Sequence, residues 1–391
     1  MDFYHPALAI QDETVAFRRY LHQHPEPSGA EENTARAVAW ELEACGISCE
    51  RLPCNAVIAR IEGGRPGKTV ALRADIDALM VEDQCGKPYQ SQNPGVCHAC
   101  GHDFHAAALL SALKLLNGVK DQLRGQVLGI FQHSEERPPS GAQELVERYG
   151  IMDGVDGIFG IHVINKLNAG DVSVQAGPRL AGSMNVYVDI VGKGGHGAMP
   201  QDCIDPILAS AATIQNLQSI VSREISPIDG VSLTVGKIQG GTTHHSVANE
   251  VHFEAAIKCL NAGLREQIKS SVLRIVQSTA ETFRCTARIQ CTQFGVPLVN
   301  DRRLSAMAEK SAAEQLGPQH VVQCDPWPVS EDFTKYLEKV PGVFALVGGR
   351  NEQEGLTLQN HHPAFDVDES ALASAAALYA GFAFDFLASD G

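Results

Sequence analysis

No run in the 391-residue sequence reads as apolar enough, over enough residues, to cross a bilayer. The opening "MDFYHPALAIQDETVAFRRY" lacks a basic stretch followed by an apolar one, so no secretory leader is expected. There is no internal repeat and no low-complexity tract. Basic residues are scarce: 31 Lys and Arg stand against 46 Asp and Glu, a formal charge of -15. That balance suits neither nucleic acid nor an anionic membrane surface, whose phosphates attract positive charge. The eleven cysteines are an odd number scattered along a long chain. Without a secretion signal they read as reduced thiols, which places the protein in a cytoplasm.

What remains is an ordinary globular mixture, 44% hydrophobic and 20% charged, at a length that favours two domains. The N-terminal part alternates helix and strand. "GAEENTARAVAWELEAC" puts Ala35, Val38, Leu42 and Cys45 on one helical face. "KTVALRADID" is read as a strand, and "GQVLGIFQHSEE" and "GIFGIHV" are apolar on consecutive positions, as strands covered on both faces are. Helices are expected at 105–116 and 142–148. The pattern predicts an α/β fold, a mostly parallel central sheet with helices on both faces. Near residue 180 it changes. "SMNVYVDIVG", a helix opened by Asp205-Pro206, "GVSLTVGKIQGG", "NEVHFEAAIKCL", a helix over 263–282 and "CTARIQCTQF" give β-α-β-β-α-β. That is the split βαβ, ferredoxin-like order of a smaller α+β domain. "GVFALVGG" then returns as a late buried strand. The expected organisation is a catalytic domain over 1–178 and 295–391, interrupted by an inserted domain over 179–294.

The chemistry-bearing residues gather where strands are expected to end. Asp75 and Asp77, then Glu135 and Glu136, then His162 each close one. Ligands of open α/β sheets bind in the crevice at that edge. Imidazole, carboxylate and thiolate are what a divalent transition metal takes. An adjacent glutamate pair offers one carboxylate for metal and one as a general base for water. In "CHACGHDFHAAALL" a zinc knuckle would need a second ligand pair, yet the next cysteine is the distant Cys203. A loop rather than a strand precedes the stretch, which argues against a redox pair. Cys100 and His102, two apart on an extended loop, can face one crevice and are read as ligands. Cys97 reads as an ordinary thiol, and His105 as a supporting residue or a helix-start histidine.

The stretches "FRRYLHQHPEPSGAEENTA", "ALRADIDAL", "CHACGHDFHAAALL", "GIFQHSEE", "GIHV", "GKGGHGAMPQDCIDPI", "SEDF" and "HHPAFDVDE" follow one another in a familiar order. In it the chain resembles the amidohydrolase branch of the aminoacylase/carboxypeptidase metallohydrolases, which includes hippurate hydrolases, indoleacetyl-amino-acid hydrolases and N-acetyl-diaminopimelate deacetylases. The resemblance spans nearly the whole chain. It implies a catalytic domain with two divalent metal ions (zinc, manganese, cobalt or nickel) and an inserted lid that dimerises. It implies metal ligation by Cys100, His102, Glu136, His162 and His361. Glu135 would be the general base for a metal-bridged water, and Asp75 would orient a ligand. The implied substrate is the amide of an N-acyl amino acid or a similar small conjugate, and the implied assembly a homodimer or higher homo-oligomer.

The Gly192–Gly197 stretch fits G-x-G-x-x-G but has no acidic residue about 20 positions on, as a dinucleotide site wants. The resemblance instead makes His196 an oxyanion-stabilising group that reaches the site of a partner subunit. Three positions depart from the family pattern. His245 replaces an asparagine, Lys258 an arginine, and His133 a proline. His245 and Lys258 fall where the family binds the substrate carboxylate or supports the lid, and lysine lacks the planar fork of arginine. Rival expectations are a dipeptidase or carboxypeptidase on the same scaffold, and a catalytically silent metal- or ligand-binding homologue.

Overall fold

The computed structural model describes residues 1–292 and 295–389. The chain forms two compact units. The first comprises Met1–Gly177, Val299–Asp325 and Asp332–Gly391; the second comprises Pro178–Leu298 and Pro326–Glu331. The short Pro326–Glu331 segment therefore joins the inserted unit, whereas the sequence reading kept it in the 295–391 part. Nothing in its composition marks it; backbone pairing does, since Trp327 N–H donates to Arg179 O at 2.8 Å and Ala181 N–H to Val329 O at 2.8 Å.

The first unit is built on a seven-stranded sheet in the order Ser48–Arg51, Val57–Glu62, Arg124–Gln132, Arg65–Asp75, Gly157–Asn168, Gly342–Arg350 and Val172–Ser173. The four central strands run parallel, and antiparallel partners close both edges. Burial explains the consecutive apolar positions. From Val70 to Asp75 every side chain is buried, whichever face it takes. Arg73 lies among them because it is fully paired: Nη1 to Asp75 at 2.8 Å, Nη2 to Asp332 at 3.0 Å and Nε to Gln132 at 2.8 Å. The helices His102–Gly118 and Ala371–Ala388 pack on each other and on this strand.

The Ala371–Ala388 helix corrects one expectation. It is long and apolar enough, with mean hydropathy 1.6, to cross a membrane. In the fold 83% of it is buried inside the protein, and its alanines let neighbouring backbones approach closely.

The second unit carries a four-stranded antiparallel sheet in the order Val231–Gly240, Glu250–Cys259, Gly182–Val191 and Thr286–Cys291. This is the ferredoxin-like order. Met184, Val186, Val188 and Ile190 alternate inward with Val251, Phe253, Ala255 and Ile257. The helix Pro206–Ser219 starts where Asp205 Oδ1 accepts from the N–H groups of Ile207 and Leu208, with proline at the first helical position. The helix Arg265–Thr282 packs beside it, burying Ile268, Val272, Ile275 and Val276. Of the last strand read from sequence, Gln293 and Phe294 lie outside the described residues.

Candidate functional site

Three parallel strands bring carboxylates and an imidazole level with one another. Asp75 pairs with Gln132, the last residue of the neighbouring strand, so His133 to Glu136 leave the sheet beside it. On the other side Arg73 pairs with Gly160, which sets His162 level with Asp75. His162 does not end its strand, contrary to expectation. The strand runs on to Asn168 because Gly342–Arg350 continues to pair with it.

Cys100 and His102 reach the same place through a turn rather than an extended loop. Gly101 takes φ 90°, and His102 is already the first residue of its helix. A Cβ on Gly101 would sit 2.5 Å from Val163 Cγ1, so glycine is required twice over. His361 arrives from a loop held by its own N–H on Ala99 O at 2.7 Å and by Asn360, whose amide donates to Cys100 O and Val163 O. His361 itself takes φ 71°, a conformation uncommon outside glycine.

The five expected ligands converge. The donor atoms of Cys100, His102 and His162 lie within 4.8 Å of one another, and so do those of Cys100, Glu136 and His361. Cys100 is common to both groups. Its Sγ is 3.4 Å from His162 Nε2, while Glu136 Oε1 is 3.4 Å from His361 Nε2 and 3.9 Å from His102 Nε2. His102 Nε2 and Glu136 Oε1 are buried without a hydrogen-bond partner. An orphaned buried polar atom costs about 1–3 kcal/mol, a cost that a bound cation removes. Two donor groups sharing a thiol fit a pair of divalent ions.

The electrostatics agree. Burial and the carboxylates of Glu136, Glu135 and Asp75 push the Cys100 thiol well above its usual range. For His102, burial opposes the charged ring, yet Asp75, Asp77 and Glu136 outweigh it and raise it to about 10. The pocket thus holds more negative charge than its own residues neutralise.

The supporting residues differ from the expectation. Asp75 does not hold a ligand's far nitrogen. Its Oδ1 takes His105 Nδ1 at 2.6 Å, Oδ2 takes Arg73, and His102 Nε2 is 3.7 Å away. The residue behind His102 is Asp77, whose backbone oxygen accepts from Nδ1 at 2.8 Å with its carboxylate at 3.2 Å. His105 completes a relay: its Nε2 accepts from Val163 N–H at 2.8 Å, tying the helix to the strand of His162. Cys97 is an inert buried thiol, pushed up to about 12 by burial. None of the eleven cysteines, all of them described residues, is in a disulfide.

His196, His245 and Lys258 belong to the second unit. Residues 195–196 pair with 246–247, and Gly197 N–H donates to His245 O at 2.9 Å, so His196 and His245 share one exposed ribbon. The glycine-rich stretch leads into this ribbon, and the next α-helix begins only at Pro206, which removes the dinucleotide reading. Lys258 donates to Ser330 Oγ at 3.0 Å. It lies eight residues along the strand from Glu250, roughly 26 Å at strand rise. The structure therefore does not bring His245 and Lys258 together within one chain.

The chain's likenesses accord with this geometry. Residues 71–385 match the model of peptidase family M20/M25/M40. The chain is 36% identical over 367 residues to the N-acetyl-L-cysteine deacetylase of Bacillus subtilis, covering 94% of this chain and 86% of that one. It is 36% identical over 380 residues to the IAA-amino acid hydrolase ILR1-like 4 of Arabidopsis thaliana, covering 96% and 86%. The crystal structure of the YXEP protein of Bacillus subtilis, described as a dinuclear metal binding peptidase from the M20 family, superposes with a TM-score of 0.85 at 31% identity, covering 97% of this chain and 99% of that one. These relatives bear out the resemblance to the amidohydrolase branch. The chain belongs to peptidase family M20/M25/M40.

Proposed function

We propose that the protein is a metal-dependent amidohydrolase that cleaves the amide bond of N-acyl amino acids or related small conjugates. The observation that carries this reading is the convergence of Cys100, His102, Glu136, His162 and His361 on two orphaned buried atoms, with Glu135 adjoining. The two relatives' activities, on N-acetylcysteine and on an IAA-amino acid, support the substrate class. Those five residues would hold two divalent ions; sulfur, nitrogen and oxygen donors together suit zinc, manganese, cobalt or nickel without separating them. When bound, the ions supply Lewis acidity toward the amide carbonyl and toward the attacking water.

The chain's own residues do the proton work. Glu135 takes the proton of the attacking water, whose oxygen bonds to the carbonyl carbon. Glu135 then passes the proton to the amine nitrogen as the C–N bond breaks. His196, supplied by the second copy of a homodimer, donates to the developing oxyanion. Lys258 of one copy and His245 of the other, which shares the ribbon of His196, contribute to binding the substrate carboxylate. The free thiols and the acidic surface support a reducing, cytoplasmic setting and a small-molecule partner.

The test is hydrolysis across N-acetyl, N-benzoyl and indoleacetyl amino acids and free dipeptides, with chelator, with added zinc or manganese, and with Glu135→Gln. Metal-dependent turnover that falls about 10²–10⁴-fold in the variant, at unchanged metal content, is expected. Preference for dipeptides would move the enzyme to the peptidase side of the family. No turnover of any amide with any metal would sink the reading.

A further inference from the structure

A second cluster of donor side chains lies in the first unit, made of residues that the proposed reaction does not use. Cys54 sits in the tight link between the strands Ser48–Arg51 and Val57–Glu62. There Leu52 N–H donates to Ala56 O at 2.8 Å, and Asn55 takes φ 72°. Val57 pairs antiparallel with Phe131, so this link lies beside His133, just past the end of the neighbouring strand. Glu144 comes from the helix Gly141–Glu147. Its first residue packs so closely on His133 that a Cβ on Gly141 would meet His133 O at 1.8 Å. Three adjacent elements thus place a thiol, an imidazole and a carboxylate together, by strand pairing and by close packing of the helix start.

The donor atoms of Cys54, His133 and Glu144 lie within 4.8 Å of one another. His133 Nε2 is 3.3 Å from Glu144 Oε2, and the imidazole is only 5% exposed. Its Nδ1 is buried with no hydrogen-bond partner, and so is the nearby Tyr149 Oη. The cluster borders a cavity of about 520 Å³. None of the five donors of the catalytic centre lines that cavity.

We propose that Cys54, His133 and Glu144 form a separate binding site for a soft divalent cation of the zinc class. One thiolate, one imidazole and one carboxylate are a zinc donor set, and three protein ligands leave a fourth position open toward the cavity. Tetrahedral zinc sets its ligand atoms roughly 3.5 Å apart, so small side-chain rotations close the triangle. A cation also gives His133 Nδ1 the partner that it lacks in the fold. Burial would raise the Cys54 thiol, but the adjoining His133 ring outweighs it and lowers the thiol from its usual value, which favours the thiolate that a metal takes. Glu144 Oε1 is engaged by Arg148 at 2.8 Å, a pair whose arginine is 68% exposed and which water weakens. Oε2 remains on the cluster's side.

The test counts metal ions on the full chain. Protein is equilibrated with zinc, dialysed and analysed for bound metal, then repeated with Cys54→Ser, His133→Gln and Cys100→Ser. The expected result is three equivalents in the wild type. Cys54→Ser and His133→Gln retain two, with amide hydrolysis preserved in Cys54→Ser. Cys100→Ser keeps the equivalent that Cys54→Ser loses. Cadmium added to protein already holding two manganese ions gives a second readout, of the thiolate itself. A sulfur-to-cadmium absorption band should rise with the third equivalent, and it should be absent from Cys54→Ser. A wild type that binds two equivalents overturns the proposal, as does a third equivalent that survives Cys54→Ser.

Discussion

His102 donates its Nδ1–H to the backbone oxygen of Asp77 at 2.8 Å, which fixes the tautomer and leaves Nε2 for the centre. The Asp77 carboxylate adds a second hold. Its Oδ1 is 3.2 Å from the same nitrogen, while Oδ2 accepts from Glu136 N–H at 3.0 Å and from the Ser28 hydroxyl at 2.6 Å. One side chain therefore positions a proposed ligand from the helix start and the backbone of a proposed ligand just past the strand end. Asp77→Asn turns an acceptor into a donor against the Glu136 N–H. Metal affinity should fall about 10–100-fold, read by competition with a chelator, with zinc and manganese affected alike. An unchanged affinity would show that the backbone oxygen alone sets the ring.

Gly101 joins Cys100 to His102 at φ 90°, against Val163. Gly101→Ala meets both a strained backbone and a contact of 2.5 Å with Val163, a buried β-branched side chain with little room to turn. The cost should exceed about 1 kcal/mol. A lower melting temperature is expected in the apo protein. A further loss of metal-induced stabilisation should follow, because the two proposed ligands flank the substitution. A variant that melts and loads like the wild type would refute this.

The sequence made the donors legible where they sit at the level of strand ends, because parallel pairing forces those ends together. It could not separate Asp75 from Asp77. Both are acidic and two apart, and the contact that decides runs to a backbone oxygen, which has no residue signature. His361 and His362 are equally ambiguous by type. The structure separates them by backbone: His361 takes φ 71° and meets Glu136, whereas His362 Nδ1 accepts locally from Ala364 N–H. Cys54 and Glu144 carried no signal, since strands and a helix far apart in sequence assemble their cluster. The alanine-rich Ala371–Ala388 helix shows the same limit from the other side, because apolar composition alone does not say whether lipid or protein covers it.

His22 gives a pH signature away from the metal centre. Its Nδ1 is 2.7 Å from Asp103 and its Nε2 is 3.3 Å from Asp83, so both nitrogens face carboxylates. Arg18, Tyr89, Cys85 and His98 surround the same ring. Burial and the Arg18 charge oppose protonation, yet Asp103 and Asp83 outweigh them and hold His22 well above its usual value. The folded value exceeds the unfolded one, so the stabilisation is complete below about pH 6.5 and is lost as pH rises through the folded value. Asp83 is shifted the opposite way: burial alone would raise it, but hydrogen bonds from His22 and from backbone N–H groups prevail. Its contribution is present above its unfolded value and lost on acidification. Unfolding free energy should therefore decline from pH 7 to 9 with a slope of at most about 1.4 kcal/mol per unit, and the slope should flatten in His22→Gln. Equal slopes in denaturant titrations of the two proteins would contradict the assignment.

His196 offers a test that a purely structural role cannot mimic. It stands on an exposed two-stranded ribbon, its Nδ1 accepting from Ala198 N–H at 3.1 Å, so its removal disturbs little packing. His196→Ala should lower kcat about 10²–10³-fold with KM nearly unchanged, as the loss of an oxyanion donor does. Glu135→Gln should be inactive for a different reason, the loss of the base. If each active site borrows His196 from the second copy of a dimer, mixing the two inactive variants creates mixed dimers. In each of these, one site has both an intact Glu135 and a borrowed His196. Random exchange of equal amounts would return about a quarter of wild-type activity. If His196 served its own chain, every site in the mixture would lack one of the two groups and no activity would return. Restored turnover after subunit exchange, measured against each variant alone, thus reports which copy supplies the histidine.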